Sequence, residues 1–212
     1  MIRRLMAGAL AIVLASPLVA QLPAGWKVRS DVNGTDAQTV LALMPPGWHL
    51  STTSPGSIVW DPSFVATGRY ALEWEVHVFP ATPDGEPFGL FIGGAALEGP
   101  EVTGIVVKFT RDGMLSVTRR TGRTSLIILA SQPTPSFVAP KGTDPGRNIV
   151  RVSVEADSVR IDVNGTRAGA FAANRDTDGI FGFRLGGGTN LHVSRLDKII
   201  PFAPAAPRTG GM

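Results

Sequence analysis

Three polar residues that alternate along one predicted strand are the strongest candidates for chemistry. In the segment Glu73-Trp74-Glu75-Val76-His77, the polar side chains occupy every second position. Side chains at i and i+2 of a β-strand project from the same face about 6.6 Å apart, near the separation of the two carboxyl groups that act on a glycosidic bond. Glu73, Glu75 and His77 are therefore a candidate catalytic set. The alternative, a solvent-facing strand surface that binds a ligand or only water, is the interpretation we favour.

The elements that must position these residues are β-strands. Apolar and polar residues alternate with period two from Tyr70 to Val78 and again from Asn148 to Val163, which predicts half-buried antiparallel strands. Asn164-Gly165 then predicts a hairpin with a type I′ turn, because that turn needs φ > 0 at both central positions. A third strand over residues 167–171 and a fourth over residues 180–185 are predicted to extend the same meander.

Length and composition indicate one all-β domain. The chain has 212 residues, with 25 Gly, 17 Pro and no Cys, and 43% of its residues are hydrophobic. About a dozen short apolar runs separated by Gly/Pro turns predict a two-sheet antiparallel β-sandwich of the jelly-roll type over residues 21–200. Residues 39–44, stopped by Pro45-Pro46-Gly47, predict an edge strand. Residues 126–129 predict an apolar strand, residues 131–147 a mobile loop, and residues 201–212 a flexible tail.

The first 20 residues are predicted to be a secretory signal peptide. Arg3 and Arg4 precede an apolar stretch from Leu5 to Leu14, and the segment Ser16-Pro17-Leu18-Val19-Ala20 that follows ends in a small residue. We therefore expect a periplasmic or extracellular protein with no membrane attachment after cleavage; an uncleaved N-terminal anchor is the alternative. Without the leader, 18 basic residues stand against 17 acidic ones, so nucleic acid is not an expected partner. The local basic cluster Arg119, Arg120 and Arg123 is interpreted as a solvated loop.

Several motifs resemble the concanavalin A-like lectin/glucanase superfamily, in particular its laminin-G-like modules. They are Gly68-x-Tyr70 leading into Leu72-Glu73-Trp74-Glu75-Val76, Gly89-Leu90-Phe91-Ile92-Gly93-Gly94, Lys108-Phe109-x-Arg111-Asp112-Gly113, Asn148-x-Val150-Arg151-Val152, Val163-Asn164-Gly165, and Asp178-Gly179-Ile180-Phe181-Gly182-Phe183-Arg184. The resemblance covers roughly residues 26–200 and implies a jelly roll; it specifies activity poorly, because the superfamily includes lectins, adhesion modules and glucanases. Its glucanases carry Glu-x-Asp-x-Glu on the concave face. Here Glu75 replaces the Asp and His77 replaces the last Glu, which puts the acid/base role in doubt.

The leading hypothesis is an exported, non-catalytic module that binds carbohydrate or another cell-surface ligand on its concave sheet. Outward-facing polar side chains are the candidate ligand-binding residues, and some of them are expected to share one groove: Glu75, His77, Lys108, Arg184 and His192. The alternatives are a glycoside-acting enzyme that uses Glu73 and Glu75, and an adhesion or structural module that meets a protein partner through residues 131–147. Oligomeric state is left open.

Aromatic and acidic residues suggest two further kinds of site. A tryptophan can stack on a sugar ring. Trp74 falls on the apolar face of its predicted strand, which predicts a core position. For Trp26, Trp48 and Trp60 the choice between packing and sugar stacking is left open. Asp176-x-Asp178-Gly179 could help to hold calcium, although a tight turn is the favoured interpretation. The three histidines show no ligand spacing, so no metal site and no cofactor is predicted.

Overall fold

The structure, a computed structural model, describes residues 22–30, 38–80, 86–122, 124–173 and 175–200. The predicted signal peptide and C-terminal tail lie outside these residues. The described strands are β1 Lys27–Ser30, β2 Thr39–Leu43, β3 Trp48–Thr52, β4 Gly56–Trp60, β5 Val65–Ala66, β6 Tyr70–Val78, β7 Phe88–Ala95, β8 Thr103–Phe109, β9 Met114–Thr121, β10 Thr124–Pro133, β11 Gly146–Val154, β12 Ser158–Val163, β13 Thr166–Ala172, β14 Gly179–Gly186 and β15 Thr189–Ile199. A single-turn 3-10 helix covers Arg175–Thr177.

The strands form two antiparallel sheets, which confirms the predicted all-β sandwich. Sheet A has the order β1-β4-β14-β7-β8-β9-β10, with β5 paired to β14, and sheet B has the order β13-β12-β11-β6-β15-β3-β2. No described segment is a helix long and apolar enough to cross a bilayer.

One apolar core lies between the sheets. Leu72, Trp74 and Val76 of β6 in sheet B belong to the same buried cluster as Val107 and Phe109 of β8 in sheet A. Because side chains alternate across a strand, the residues between these core positions project from the outer faces of the two sheets. This alternation positions the candidate residues that lie on strands β6, β8, β14 and β15.

The predicted meander is correct for three of its four strands. Strands β11, β12 and β13 are neighbours in sheet B, and Asn164 and Gly165 have φ of 50° and 79°, as a type I′ turn requires. The fourth strand, β14, pairs instead with β4 and β7 of sheet A. Periodicity shows that a strand has a buried face, but it does not show which sheet the strand joins.

Three other predictions are settled by strand bounds and exposure. Strand β2 is the edge strand of sheet B, as predicted. Strand β10, the edge of sheet A, contains the apolar strand predicted over residues 126–129, and its Leu126 and Ile127 are 61% and 67% exposed. The predicted loop over residues 131–147 is shorter than expected, because β10 extends to Pro133 and β11 begins at Gly146.

Side chains anchor the connection between β10 and β11. The ring of Phe137 stacks on that of Phe109 with centroids 5.7 Å apart, and the side-chain amide of Asn148 accepts from the Val138 N–H at 2.8 Å and donates to its carbonyl at 2.9 Å. Asn148 is buried, so these bonds satisfy a polar group that would otherwise be costly inside the protein.

Candidate functional site

The three residues of the candidate catalytic set lie on the outer face of sheet B. Glu73, Glu75 and His77 alternate with the buried Trp74 and Val76 on β6, and each of the three is half-buried. The predicted phase of this strand is therefore correct. The neighbouring strands β11 and β15 supply the side chains that surround the set.

Both carboxylates of this set are bound by arginines. Glu73 Oε1 accepts from Arg195 Nη2 at 2.7 Å, and its Oε2 lies 3.4 Å from Arg151 Nη1. Glu75 Oε1 accepts from Arg147 Nε at 2.8 Å and lies 3.6 Å from His77 Nε2. The hydrogen bond and the charge of Arg147 hold the pKa of Glu75 below its ordinary value. A general acid in glycoside hydrolysis needs a raised carboxyl pKa, so this geometry does not favour catalysis by the pair.

All three histidines of the sequence lie side by side on this face. His192 of β15 is the register partner of His77 on β6 and of His49 on β3, and the rings of His77 and His192 have centroids 5.9 Å apart. Burial and the neighbouring His192 lower the pKa of His49. Sequence spacing did not reveal this row, because strand pairing brings the three positions together. No group of three His, Asp or Glu side chains among the described residues is arranged to hold a metal ion.

The other two candidate ligand-binding residues lie on the opposite side of the molecule. Lys108 alternates with Val107 and Phe109 on β8, and Arg184 alternates with Phe183 and Leu185 on β14, so both project from the outer face of sheet A. Some of Lys108, Arg184 and His192 were expected to share a groove with Glu75 and His77, and of these three His192 lies on their face. Glu75, His77 and His192 share one face, and Lys108 and Arg184 share the other.

The outer face of sheet A carries a second apolar cluster and a hollow beside it. The cluster contains Ile58, Trp60, Phe91, Leu97, Val102 and Val106. The hollow has a volume of about 90 Å³, and its described lining is Ile58, Phe91, Leu97, Val102, Thr103, Gly104, Val106, Lys108, Thr118, Arg120, Ser125 and Arg184. Apolar residues thus form the floor, and hydroxyl and cationic side chains stand around it.

Strand register explains why the hollow is open. Gly89 of β7 pairs with Arg184 on one side and with Lys108 on the other, so no side chain stands between the two cations. A Cβ at Gly89 would come within 1.9 Å of the Val107 carbonyl oxygen, which excludes any larger residue there. In a neighbouring row, Gly104 pairs with Arg120 and again adds no side chain.

The connection between β7 and β8 forms one wall of the hollow, and basic side chains of the edge strand β1 bind it. Residues 96–102 join β7 to β8 and bring Leu97 and Val102 onto the apolar cluster. Arg29 Nη1 donates to the carbonyl oxygens of Leu97 at 2.9 Å and Gly99 at 2.5 Å. Lys27 Nζ lies 2.5 Å from Glu98 Oε1. The side chains of β1 therefore position the part of the chain that partly covers sheet A.

Sequence reasoning missed most of this site, although one signal for it exists. Strands β4 and β7 contain the runs Ser57-Ile58-Val59-Trp60 and Leu90-Phe91-Ile92, which do not alternate, and every residue of these runs is buried. Continuous apolar strands are buried on both faces, so the runs indicate a cover on the outer face of sheet A. Arg120, interpreted as part of a solvated loop, lines the hollow; Arg123 lies outside the described residues.

The tryptophans considered for sugar stacking pack against other residues of the protein. Trp74 and Trp60 are 1% and 2% exposed, and Trp26 packs against Trp48 and Phe183 with ring centroids 5.5 and 6.0 Å away. These tryptophans are therefore packing residues rather than open stacking surfaces.

The two aspartates considered for calcium make protein contacts. Asp178 Oδ1 accepts from the Gly68 N–H at 2.8 Å, and Asp176 Oδ2 lies 3.0 Å from Arg119 Nε. Both carboxylates thus tie the segment around the 3-10 helix to neighbouring parts of the fold, as expected for side chains of a structural turn.

Comparison with known proteins identifies the fold. No protein-family model matches the sequence, and no curated protein is similar to it. Among solved structures, the carbohydrate binding module CBM66 from Bacillus subtilis superposes with a TM-score of 0.63 at 14% identity, covering 86% of this chain and 99% of that one. The mixed-linkage glucan GH16 protein of Bacteroides ovatus, in complex with its product, gives 0.58 at 8% identity, covering 87% and 98%.

A third similar structure is the exoplasmic/lumenal domain of VIP36 in a Ca2+- and glycan-bound form. It superposes with a TM-score of 0.55 at 12% identity and covers 90% of each chain. These sandwiches share the concanavalin A-like jelly-roll architecture, which confirms the fold implied by the sequence motifs. Identities this low establish the fold alone.

Proposed function

We propose that the protein is a non-catalytic carbohydrate-binding module that binds a glycan in the hollow on the outer face of sheet A. The observation that carries the proposal is the lining of this hollow, in which an apolar floor of Ile58, Leu97 and Val106 is surrounded by hydroxyl and cationic donors. Binding sites for small molecules combine an apolar surface with a few convergent polar groups. A sugar ring offers an apolar face and a rim of hydroxyls, and it matches such a lining.

The similar structures support this proposal as an analogy of fold. CBM66 is described as a carbohydrate binding module, and the VIP36 domain was solved with a bound glycan. The predicted signal peptide supports an exported protein that meets its glycan outside the cytoplasm. Glu73 and Glu75 are held by arginines on the opposite face, which supports binding without hydrolysis. We expect incubation with a bound glycan to release no shorter products.

A glycan array with two matched variants tests the location of the site. Thr118→Tyr places a bulky neutral side chain in the hollow, because Thr118 is one of its lining residues. Ser51→Tyr places the same side chain on the outer face of sheet B, where Ser51 alternates with the buried Leu50 on β3. We expect Thr118→Tyr to abolish binding and Ser51→Tyr to preserve it.

Two results would contradict the proposal. If the native protein binds no glycan on the array, the protein is not a carbohydrate-binding module. If Ser51→Tyr abolishes binding and Thr118→Tyr does not, the glycan binds on sheet B. Circular dichroism of both variants confirms that the sandwich is folded, so that loss of binding is not loss of structure.

A further inference from the structure

Strand β10 forms an exposed apolar edge of the sandwich. It lies at one end of sheet A, and in the part of the chain that the structure describes its outer side pairs with no strand. Its first four residues, 124–127, are all exposed. Because side chains alternate across a strand, the exposure of four consecutive positions means that both faces of this half of the strand are bare. An unpaired row of backbone N–H and C=O groups therefore lies beside exposed apolar side chains.

The register divides β10 into a regular half and an irregular half. Residues 124–127 pair with β9 without interruption, and register shifts follow between Ile127 and Leu129 and between Leu129 and Gln132. In the irregular half the Gln132 side chain donates to the Ala168 carbonyl of β13 at 2.6 Å, so the edges of the two sheets meet there. The regular half, residues 124–127, is therefore the part of this edge that is open to another strand, and we call it the free edge.

The other described edge strands carry features that hinder the addition of a strand. Charged side chains, short strands and nearby prolines all oppose pairing at an edge. Strands β1 and β13 contain lysine or arginine side chains. Strand β2 has five residues, and Pro45-Pro46 follows shortly after it. By contrast, residues 124–132 of β10 include no charged residue and no proline, so the free edge lacks these three protections.

A second copy of this chain is the partner that the free edge fits. Two identical edge strands that pair antiparallel about a two-fold axis present the same row of N–H and C=O groups to each other, so their hydrogen bonding is self-complementary. In such a pair, residues of the strand lie opposite residues of its own copy, where like charges would oppose the pairing. Residues 124–127 carry no charge, so this repulsion is absent.

We propose that the protein forms a two-fold dimer by antiparallel pairing of the free edge with the free edge of a second copy. The pairing covers Leu126 and Ile127, which are 61% and 67% exposed in the single chain, and it continues sheet A from one copy into the other. Burial of these apolar side chains drives association, and the backbone hydrogen bonds fix its geometry. Because the paired segment is short, we expect a weak dimer that forms as the concentration rises.

The dimer brings the two hollows onto one surface. A two-fold axis between antiparallel strands of one sheet stands perpendicular to that sheet, so the outer faces of both copies point the same way. Thr118 of β9 and Ser125 of β10 line the hollow, so each hollow begins beside the axis. Under the proposed function, which the dimer itself does not require, one long glycan reaches both hollows and gains affinity through effective concentration.

Sedimentation velocity and hydrogen exchange test the interface together. Over a series from about 1 μM to about 1 mM, we expect the sedimentation coefficient to move from that of a monomer to that of a dimer. The amides of residues 124–127 should gain protection over the same range of concentration, because pairing engages their edge. The amides of β2, at the edge of the other sheet, should keep the same protection throughout.

Three charge variants locate the interface. Leu126→Lys and Ile127→Lys each place a charge near the same charge of the copy and remove apolar burial, so we expect each to raise the dimer dissociation constant at least about tenfold. The matched control is Leu43→Lys on β2, where the native side chain is 68% exposed, and it should leave the dimer unchanged. Thermal unfolding of the three variants confirms that each single chain is folded.

The contrary results are distinct from one another. A protein that stays monomeric over the whole series overturns the proposal. Protection of residues 124–127 that is equal at every concentration shows that another segment of the same chain covers the free edge, and it also overturns the proposal. A dimer that Leu43→Lys disrupts and Leu126→Lys does not would use β2 instead. None of these results bears on glycan binding by the single chain, which the array tests separately.

Discussion

Replacing Arg29 by Met should loosen the wall of the hollow without unfolding the sandwich. Arg29 lies on the edge strand β1 and reaches residues 96–102 by two hydrogen bonds to carbonyl oxygens, at 2.9 Å to Leu97 and 2.5 Å to Gly99. Methionine keeps an apolar stem of similar reach but has no donor, so Arg29→Met removes both bonds and little else. The connection between β7 and β8 should therefore open more often.

The size of the effect follows from the contacts that remain. A hydrogen bond to a charged group contributes about 1.5–3 kcal/mol, and because water can reach both carbonyls when the donor is lost, we take one such contribution for the pair. Since each 1.4 kcal/mol is a factor of ten, the open population should rise about 10- to 150-fold. Burial of Leu97 and Val102 at 5% and 2% exposure, each worth about 1.5–3 kcal/mol, keeps the closed form in the majority.

Amide hydrogen exchange measures this opening directly. The Gly99 N–H donates to the Ala96 carbonyl at 2.9 Å, so its protection should fall by the same 10- to 150-fold. The control is Lys27→Met, which removes an ion pair whose side chains are 43% and 71% exposed and should change protection by less than about fivefold. The reasoning is refuted if Arg29→Met leaves Gly99 as protected as before, or if the amides of β6 in sheet B lose protection to the same extent.

Two further predictions concern stability. Tyr70 is 2% exposed and its hydroxyl donates to the Thr177 carbonyl at 2.6 Å, so Tyr70→Phe should lower the free energy of unfolding by about 1–2 kcal/mol; an unchanged urea midpoint would contradict this. Because burial and the neighbouring His192 lower the pKa of His49 below its ordinary 6.5, the unfolded chain binds this proton more readily than the folded one. Stability should therefore rise with pH up to about 6.5. His49→Gln should flatten that rise in thermal unfolding measured from about pH 5 to pH 7, and an unaltered slope would exclude His49 as its source.

The sequence was informative wherever a strand has one buried and one solvated face. Alternation correctly gave the phase of β6, including the core position of Trp74 and the outward direction of Glu75. The Asn164-Gly165 turn was equally clear, because its positive φ angles restrict the residues that it tolerates. These are local properties, and local properties are what residue patterns encode.

The site itself depends on pairings between distant segments. Lys108 and Arg184 are separated by 76 positions and become neighbours through the intervening Gly89. The row of His49, His77 and His192 likewise exists because β15 lies between β3 and β6. The alternation along one strand shows which side chains point outward. Which of the two sheets the strand joins, and therefore which outer face those side chains occupy, depends on the strand order, and period-two patterns do not specify that order.

The contrast between the two outer faces is the strongest physical argument for a function at the hollow. A sequence optimised for stability alone distributes charges of both signs and leaves no apolar floor open beside them. Sheet B follows that rule, with arginines paired to Glu73 and Glu75. Sheet A differs, since its outer face carries an apolar cluster with a hollow beside it. Departures of this kind concentrate at binding sites, where a ligand supplies the missing apolar cover.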